Sequence, residues 1–135
     1  MEPMTINYLA VIVAAIVYLI IGWLWYAPLF GAAWMKAIGK TKEQVAAGAS
    51  AANYIIALVT SFVACYGIAR VMLWYGDVSV RGGILVGVLV GVCFVLTSMF
   101  VNDTFEKRPT GLTFINVLYH LVSMVVAGII LGVWH

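Results

Sequence analysis

The sequence predicts an all-α membrane protein: four transmembrane helices in a small bundle, with a short interfacial amphipathic helix between helices one and two. Three observations carry that expectation. Of 135 residues, 65% are hydrophobic and only 9% charged, whereas a soluble domain carries about 25% charged residues. Mean hydropathy is +1.12, and the charges fall between long uncharged stretches. Runs such as LAVIVAAIVYLII do not alternate in polarity, which argues against a closed barrel, the other structure that satisfies its backbone in lipid. No polar or Ser/Pro-rich stretch is long enough for a linker. Residues 1–135 therefore read as a single integral membrane domain, with spans at about 6–26, 51–75, 82–102 and 111–134.

The first span runs uncharged from Ile6 to Tyr26, enough at about 1.5 Å per residue to cover the ~30 Å hydrocarbon core. It closes in GWLWYAPLFG, from Gly22 to Gly31. Trp23, Trp25 and Tyr26, with Trp34 beyond them, are expected to anchor at the headgroup boundary, where amphipathic rings settle. The leading MEPMTIN has no Lys or Arg, so a cleaved signal peptide is not expected and the first span should be retained. Pro28 suits a first helical turn, and Leu29, Phe30, Ala33, Trp34, Ala37 and Ile38 share one face while Lys36 and Lys40 take another. That spacing predicts a helix lying in the interface, ended by Gly39. Thr41 and Gln44 make a capping box with Glu43 in the first turn, so a new helix should begin there and continue into span two.

Uncharged stretches from Gln44 to Ala69, Gly82 to Asn102 and Pro109 to His135 supply the other three spans. Between the last two, NDTFEKRPTG is expected to be a short polar loop, with Pro109 starting the fourth helix. The first and third connections hold Lys36, Lys40, Lys42, Lys107 and Arg108, against Arg70 and Arg81 on the opposite side. The positive-inside rule then puts the basic connections in the cytoplasm and both termini outside or in the periplasm. Arg70 can snorkel toward headgroups. A net charge of +2, divided among loops, gives no footprint for nucleic acid. Cys65 and Cys93 lie in separate spans without a CxxC or nearby histidines, so no metal site is expected and both suit packing.

Lipid gives helices little hydrophobic reason to associate, so small residues must let backbones approach. Gly83, Gly87 and Gly91 in span three, and Gly128 and Gly132 in span four, are the candidates for that packing, within the chain or across a dimer. Counting depth from the cytoplasmic ends, Tyr18, Thr60, Ser61, Thr97, Asn116, His120 and Ser123, with Cys93 nearby, would form an intramembrane polar layer if their faces converge. Polar groups at that depth are costly enough to be functional candidates. For His120 the first reading is a structural hydrogen bond, to Tyr18 or to a Ser or Thr; ligand or quinone contact comes second, and proton transfer or metal binding third. Asn7, Asn53 and Asn102, near span ends, suit caps or interhelical bonds.

Asp103 and Glu106 are paired acids, but beside Lys107 and Arg108 they read as a solvated, charge-balanced turn. No Ser-His-Asp arrangement, phosphate-binding glycine loop or HExxH is present. No catalytic residue is assigned, and neither a cofactor nor an enzymatic activity is expected. GWLWYAPLFG with Trp34, GKTKEQ at 39–44, the turn from Asn102 to Arg108 and INVLYHLVSMVVAGIILGVW at 115–134 resemble domain-of-unknown-function family 1761, small prokaryotic membrane proteins. The resemblance covers nearly the whole chain and implies a four-helix protein of the prokaryotic cytoplasmic membrane. It brings no reaction, so Trp23, Tyr26, Pro28, Asn102, Asp103, Asn116 and Trp134 come across as motif positions alone.

Three roles are compatible with this pattern. A structural or accessory protein, packing with itself as a homodimer or with a larger membrane complex through glycine and aromatic faces, explains the scarcity of buried charge. A small dimeric transporter or channel is the second, weakened by the lack of an acid within a span core. A binder of a quinone, pigment or lipid-like molecule is the third, drawing on Tyr18, His120 and the aromatics.

Overall fold

The structure, a computed structural model, describes residues 5–135. Met1–Met4, part of the stretch that lacks basic residues, lie outside the described residues. Helix α1 spans Tyr8–Leu29 and opens on Asn7, whose side chain accepts from the Ala10 amide at 3.2 Å. Its last turn, Trp25–Leu29, is a π-helical turn, in which the Phe30 amide bonds the Trp25 carbonyl at 2.8 Å. Pro28 is the cause. It has no N–H and its ring crowds the carbonyl four residues back, and the wider turn relieves both. Sequence spacing put Pro28 at the start of the next helix; the structure instead keeps it inside α1, and α2 begins beyond it, at Gly31–Ile38. Gly39, at a φ of 69°, closes α2 in the left-handed conformation that glycine adopts without strain.

Helix α3 (Lys42–Gly48) opens on the expected capping box: the Gln44 amide donates to Thr41 Oγ1 at 3.2 Å and the Thr41 amide to Gln44 Oε1 at 2.9 Å. It does not run on into the second span. Gly48 is a weak helix former, Ala49 and Ser50 are extended, and the Ser50 hydroxyl caps a fresh helix by accepting from Asn53 at 3.4 Å. That helix is α4, Ala51–Tyr75, closed by Gly76 at a φ of 82°. Ser79 then caps α5, Val80–Phe105, and α6 spans Thr110–Val133 after Pro109. Four helices, α1, α4, α5 and α6, are long and apolar enough to cross a membrane, and no strand occurs among the described residues.

Helix α1 packs against α4 and α6, and α5 packs along α6. Ala10, Val11, Ala14, Ala15 and Tyr18 meet Cys65, Ile68 and Met72 of α4, with Met124, Ala127 and Leu131 of α6 completing the core. The α5–α6 seam is nearly bare backbone. A Cβ on Gly83 would lie 1.9 Å from the Gly128 carbonyl oxygen, one on Gly132 2.3 Å from that of Ser79, and one on Gly87 2.8 Å from that of Met124. Gly91 abuts the Leu121 side chain, 2.6 Å from such a Cβ. All five glycines are thus spent on contact within the chain.

The third connection differs from the solvated loop expected of it. Helix α5 continues through Asn102–Phe105, and Asp103 is buried, 8% exposed, accepting from Thr113 Oγ1 at 2.7 Å. Arg108 lies 3.9 Å from Asp103 and 2.7 Å from Glu106, which is itself exposed. One acid staples the α5–α6 hairpin while the other stays in a surface ion pair. The pattern of alternating charges in the sequence does not distinguish them, because only the turn geometry around Lys107, at a φ of 57°, folds Asp103 onto α6.

Candidate functional site: a lateral groove at the splayed ends of α1 and α4

Helices α1 and α4 touch along the end that carries Tyr8 and Tyr66 and diverge toward the end that carries Tyr26 and Asn53. The divergence leaves a groove of about 920 Å³. Leu19, Ile20, Trp23 and Ala27 of α1 form one wall, Tyr54 and Ala57 of α4 the other, and Asn116 and Tyr119 of α6 the back. Trp34 of α2 and Val45 of α3 border its mouth. Mostly apolar walls with a few converging polar groups are the usual makeup of a small-molecule site.

The back wall is braced by the aromatic end of α1. Tyr26 donates to Asn116 Oδ1 at 2.6 Å, and the Trp25 indole N–H to the Ile115 carbonyl at 2.9 Å. The π-helical turn brings two consecutive side chains onto α6. The sequence makes both of them candidate headgroup anchors. Their polar atoms bind within the chain, Trp34 packs edge-on to Tyr26 at 5.2 Å, and Trp23, on the groove wall, is 65% exposed. Tyr119, not among the sequence candidates, sits at the centre: its ring meets Tyr26 at 5.3 Å and Tyr18 at 5.5 Å, both edge-on. Its one sequence signal is its position three residues after Asn116, on the same helix face.

Tyr18 and His120 lie deeper, with the phenol hydroxyl 2.6 Å from His120 Nδ1. A neutral imidazole that accepts there carries its proton on Nε2. The remaining members of the expected polar layer scatter. Thr60 and Thr97 are exposed and bond back to carbonyls of their own helices, Ile56 at 2.8 Å and Cys93 at 2.7 Å, the usual fate of a hydroxyl in a span. Ser61 is buried and does the same with Ala57 at 2.6 Å. Ser123 is buried with an unpartnered hydroxyl. So Tyr18, Asn116 and His120 join Tyr26 and Tyr119 in one aromatic and polar cluster, and Thr60 and Thr97 stand outside it.

Among the described residues no group of three His, Cys, Asp or Glu side chains could hold a metal ion. The cluster has hydrogen-bond donors and acceptors but no carboxylate, which suits recognition better than proton transfer. Neither a curated protein nor a solved structure matches the chain. The model of a family described as Protein of unknown function (DUF1761) matches residues 9–132, nearly the whole length, and the chain belongs to that family.

Proposed function

We propose that this protein binds a lipid-like amphiphile in the groove between α1 and α4, within the prokaryotic cytoplasmic membrane. The observation that carries the proposal is the groove itself: about 920 Å³ of mostly apolar space backed by Asn116 and Tyr119. A structural or accessory role rests on glycine and aromatic faces; the glycine faces are occupied by the α5–α6 seam, which leaves it the exposed aromatics. Transport has no specific support in the groove, which carries no ionisable side chain apart from tyrosines along its walls.

Filling the groove tests the proposal. In native mass spectrometry the wild-type protein is expected to carry one amphiphile per protomer, and Ala57→Trp to lose it while keeping its helical circular dichroism and melting temperature. A bare wild type, or an adduct that survives the substitution, would remove the support.

The arrangement of ends supports an orientation with both termini outside. Trp25 and Tyr26 meet Ile115 and Asn116, so the first and third connections share one side; Asn7, Leu73 and His135 border a common cleft at the other. With Lys36, Lys40, Lys42, Lys107 and Arg108 on the first side, that side faces the cytoplasm. Alkaline phosphatase fused after His135 is expected to be active, and a cytoplasmic reporter there silent; the reverse pattern would invert the topology.

A further inference from the structure

The groove's mouth carries information about the head of its occupant. We propose that the amphiphile is an anionic glycerophospholipid of the cytoplasmic leaflet, its phosphate held by Lys40 and Lys42, beyond the end of α2, and its ester region by Asn116 and Tyr119; this rests on the groove being a binding site. Trp34 and Val45 line the groove, and the chain joining them carries Lys36, Lys40 and Lys42, which stand outside the lining itself, and a single acid, Glu43. The lysines are exposed, and among the described residues none has a carboxylate within ion-pair distance. Charge along that connection is net positive, three lysines against Glu43. An ammonium group binds phosphate as a compact point charge, and a row of them beside a membrane favours anionic lipid.

Deeper in the groove, the polar groups fit the next portion of such a lipid. Asn116 uses its Oδ1 to accept from Tyr26, and neither its Nδ2 nor the Tyr119 hydroxyl has a partner among the described residues. Both residues line the groove. Two unspent donors at the low-dielectric back of a groove call for acceptors, because an unmatched polar group there is costly. Ester carbonyls are acceptors without a donor of their own. Below them Leu19 and Ile20 offer only hydrocarbon to an acyl chain. A quinone could satisfy the two donors but would leave the lysines unmatched, and a zwitterionic lipid brings its own ammonium to the lysine rim.

The test uses the full-length protein, stripped of lipid in mild detergent and titrated with phosphatidylglycerol or phosphatidylcholine, with binding read by native mass spectrometry. Phosphatidylglycerol is expected to bind at least tenfold more tightly. The combined substitutions Lys40→Gln and Lys42→Gln should weaken it by roughly 10-fold at low salt, from about a fivefold contribution per lysine reduced by their exposure, and leave phosphatidylcholine unchanged. Ala57→Trp should weaken both lipids. Equal affinity for the two lipids, both lost in Ala57→Trp, would overturn the headgroup assignment while the groove remains a binding site. Preferential retention of a quinone would do the same. Binding of both lipids that is indifferent to Ala57→Trp would remove the groove and this assignment together.

Discussion

Gly83→Ala is expected to destabilise the protein by at least about 3 kcal/mol, at the upper end for an overpacked core, and to reduce the yield of monodisperse protein in detergent. The new methyl carbon would stand 1.9 Å from the Gly128 carbonyl oxygen, where 3.4 Å begins ordinary contact. Backbone cannot swing aside as a side-chain tip can. The helices must part by more than about 1 Å, since approaches under 3.0 Å are essentially never seen, and parting also loosens Gly87 against Met124 and Gly132 against Ser79 on the same seam. In lipid that close packing is the main attraction between helices. Gly128→Ala should behave alike, its Cβ falling 2.1 Å from the Gly83 oxygen.

A substitution of the same chemistry elsewhere gives the opposite sign. Gly67 lies within α4 with nothing inside 4 Å of a built Cβ, so Gly67→Ala should be neutral or stabilising by up to about 1 kcal/mol through helix propensity. Thermal unfolding of the three variants in one detergent decides the matter. A Gly83→Ala protein that melts with wild type would show that α5 and α6 do not meet through this seam.

The same seam shows how much of the fold could be read from the sequence. Length and hydropathy suffice for the spans because the bilayer sets a fixed thickness, and the capping box at Thr41 and Gln44 is local enough to be visible in four residues. Glycines at four-residue intervals predict a flat face. What they do not specify is which helix lies against it, since that depends on how the helices turn about their axes. Rotation likewise divides the polar layer: counting residues places Thr60 and Thr97 near the depth of His120, but both side chains point away from the interior and bond their own backbone. Asp103 and Tyr26 show the complementary gap. From its neighbours Asp103 reads as part of a solvated turn and Tyr26 as an interfacial anchor, and each finds its partner, Thr113 or Asn116, only through a turn that brings distant chain together.

Tyr18→Phe and His120→Phe are expected each to leave the protein folded and to cost about 1–2 kcal/mol, with the double variant costing little more than either alone. The phenol is 3% exposed and its hydroxyl lies 2.6 Å from His120 Nδ1, so removing one member strands the other's polar atom inside the protein, a penalty of about 1–3 kcal/mol in general. Lipid reduces that figure. A helix separated from its neighbours but still in the membrane finds other partners, and measured interhelical bonds there average about 0.6 and reach about 1.7 kcal/mol. The short bond and the enclosing rings of Tyr119, 5.5 Å from Tyr18 and 4.7 Å from His120, place this pair toward the upper figure, giving an expected coupling of about 1–1.7 kcal/mol in a double-mutant cycle. Amphiphile binding supplies the second readout. Tyr18 and His120 sit behind Tyr119 and do not line the groove, so the double variant should hold the same lipid as wild type once its lower stability is allowed for. Additive losses in the cycle would show that the two side chains do not share a hydrogen bond, and loss of the lipid with the fold intact would move His120 from the frame of the groove into its binding surface.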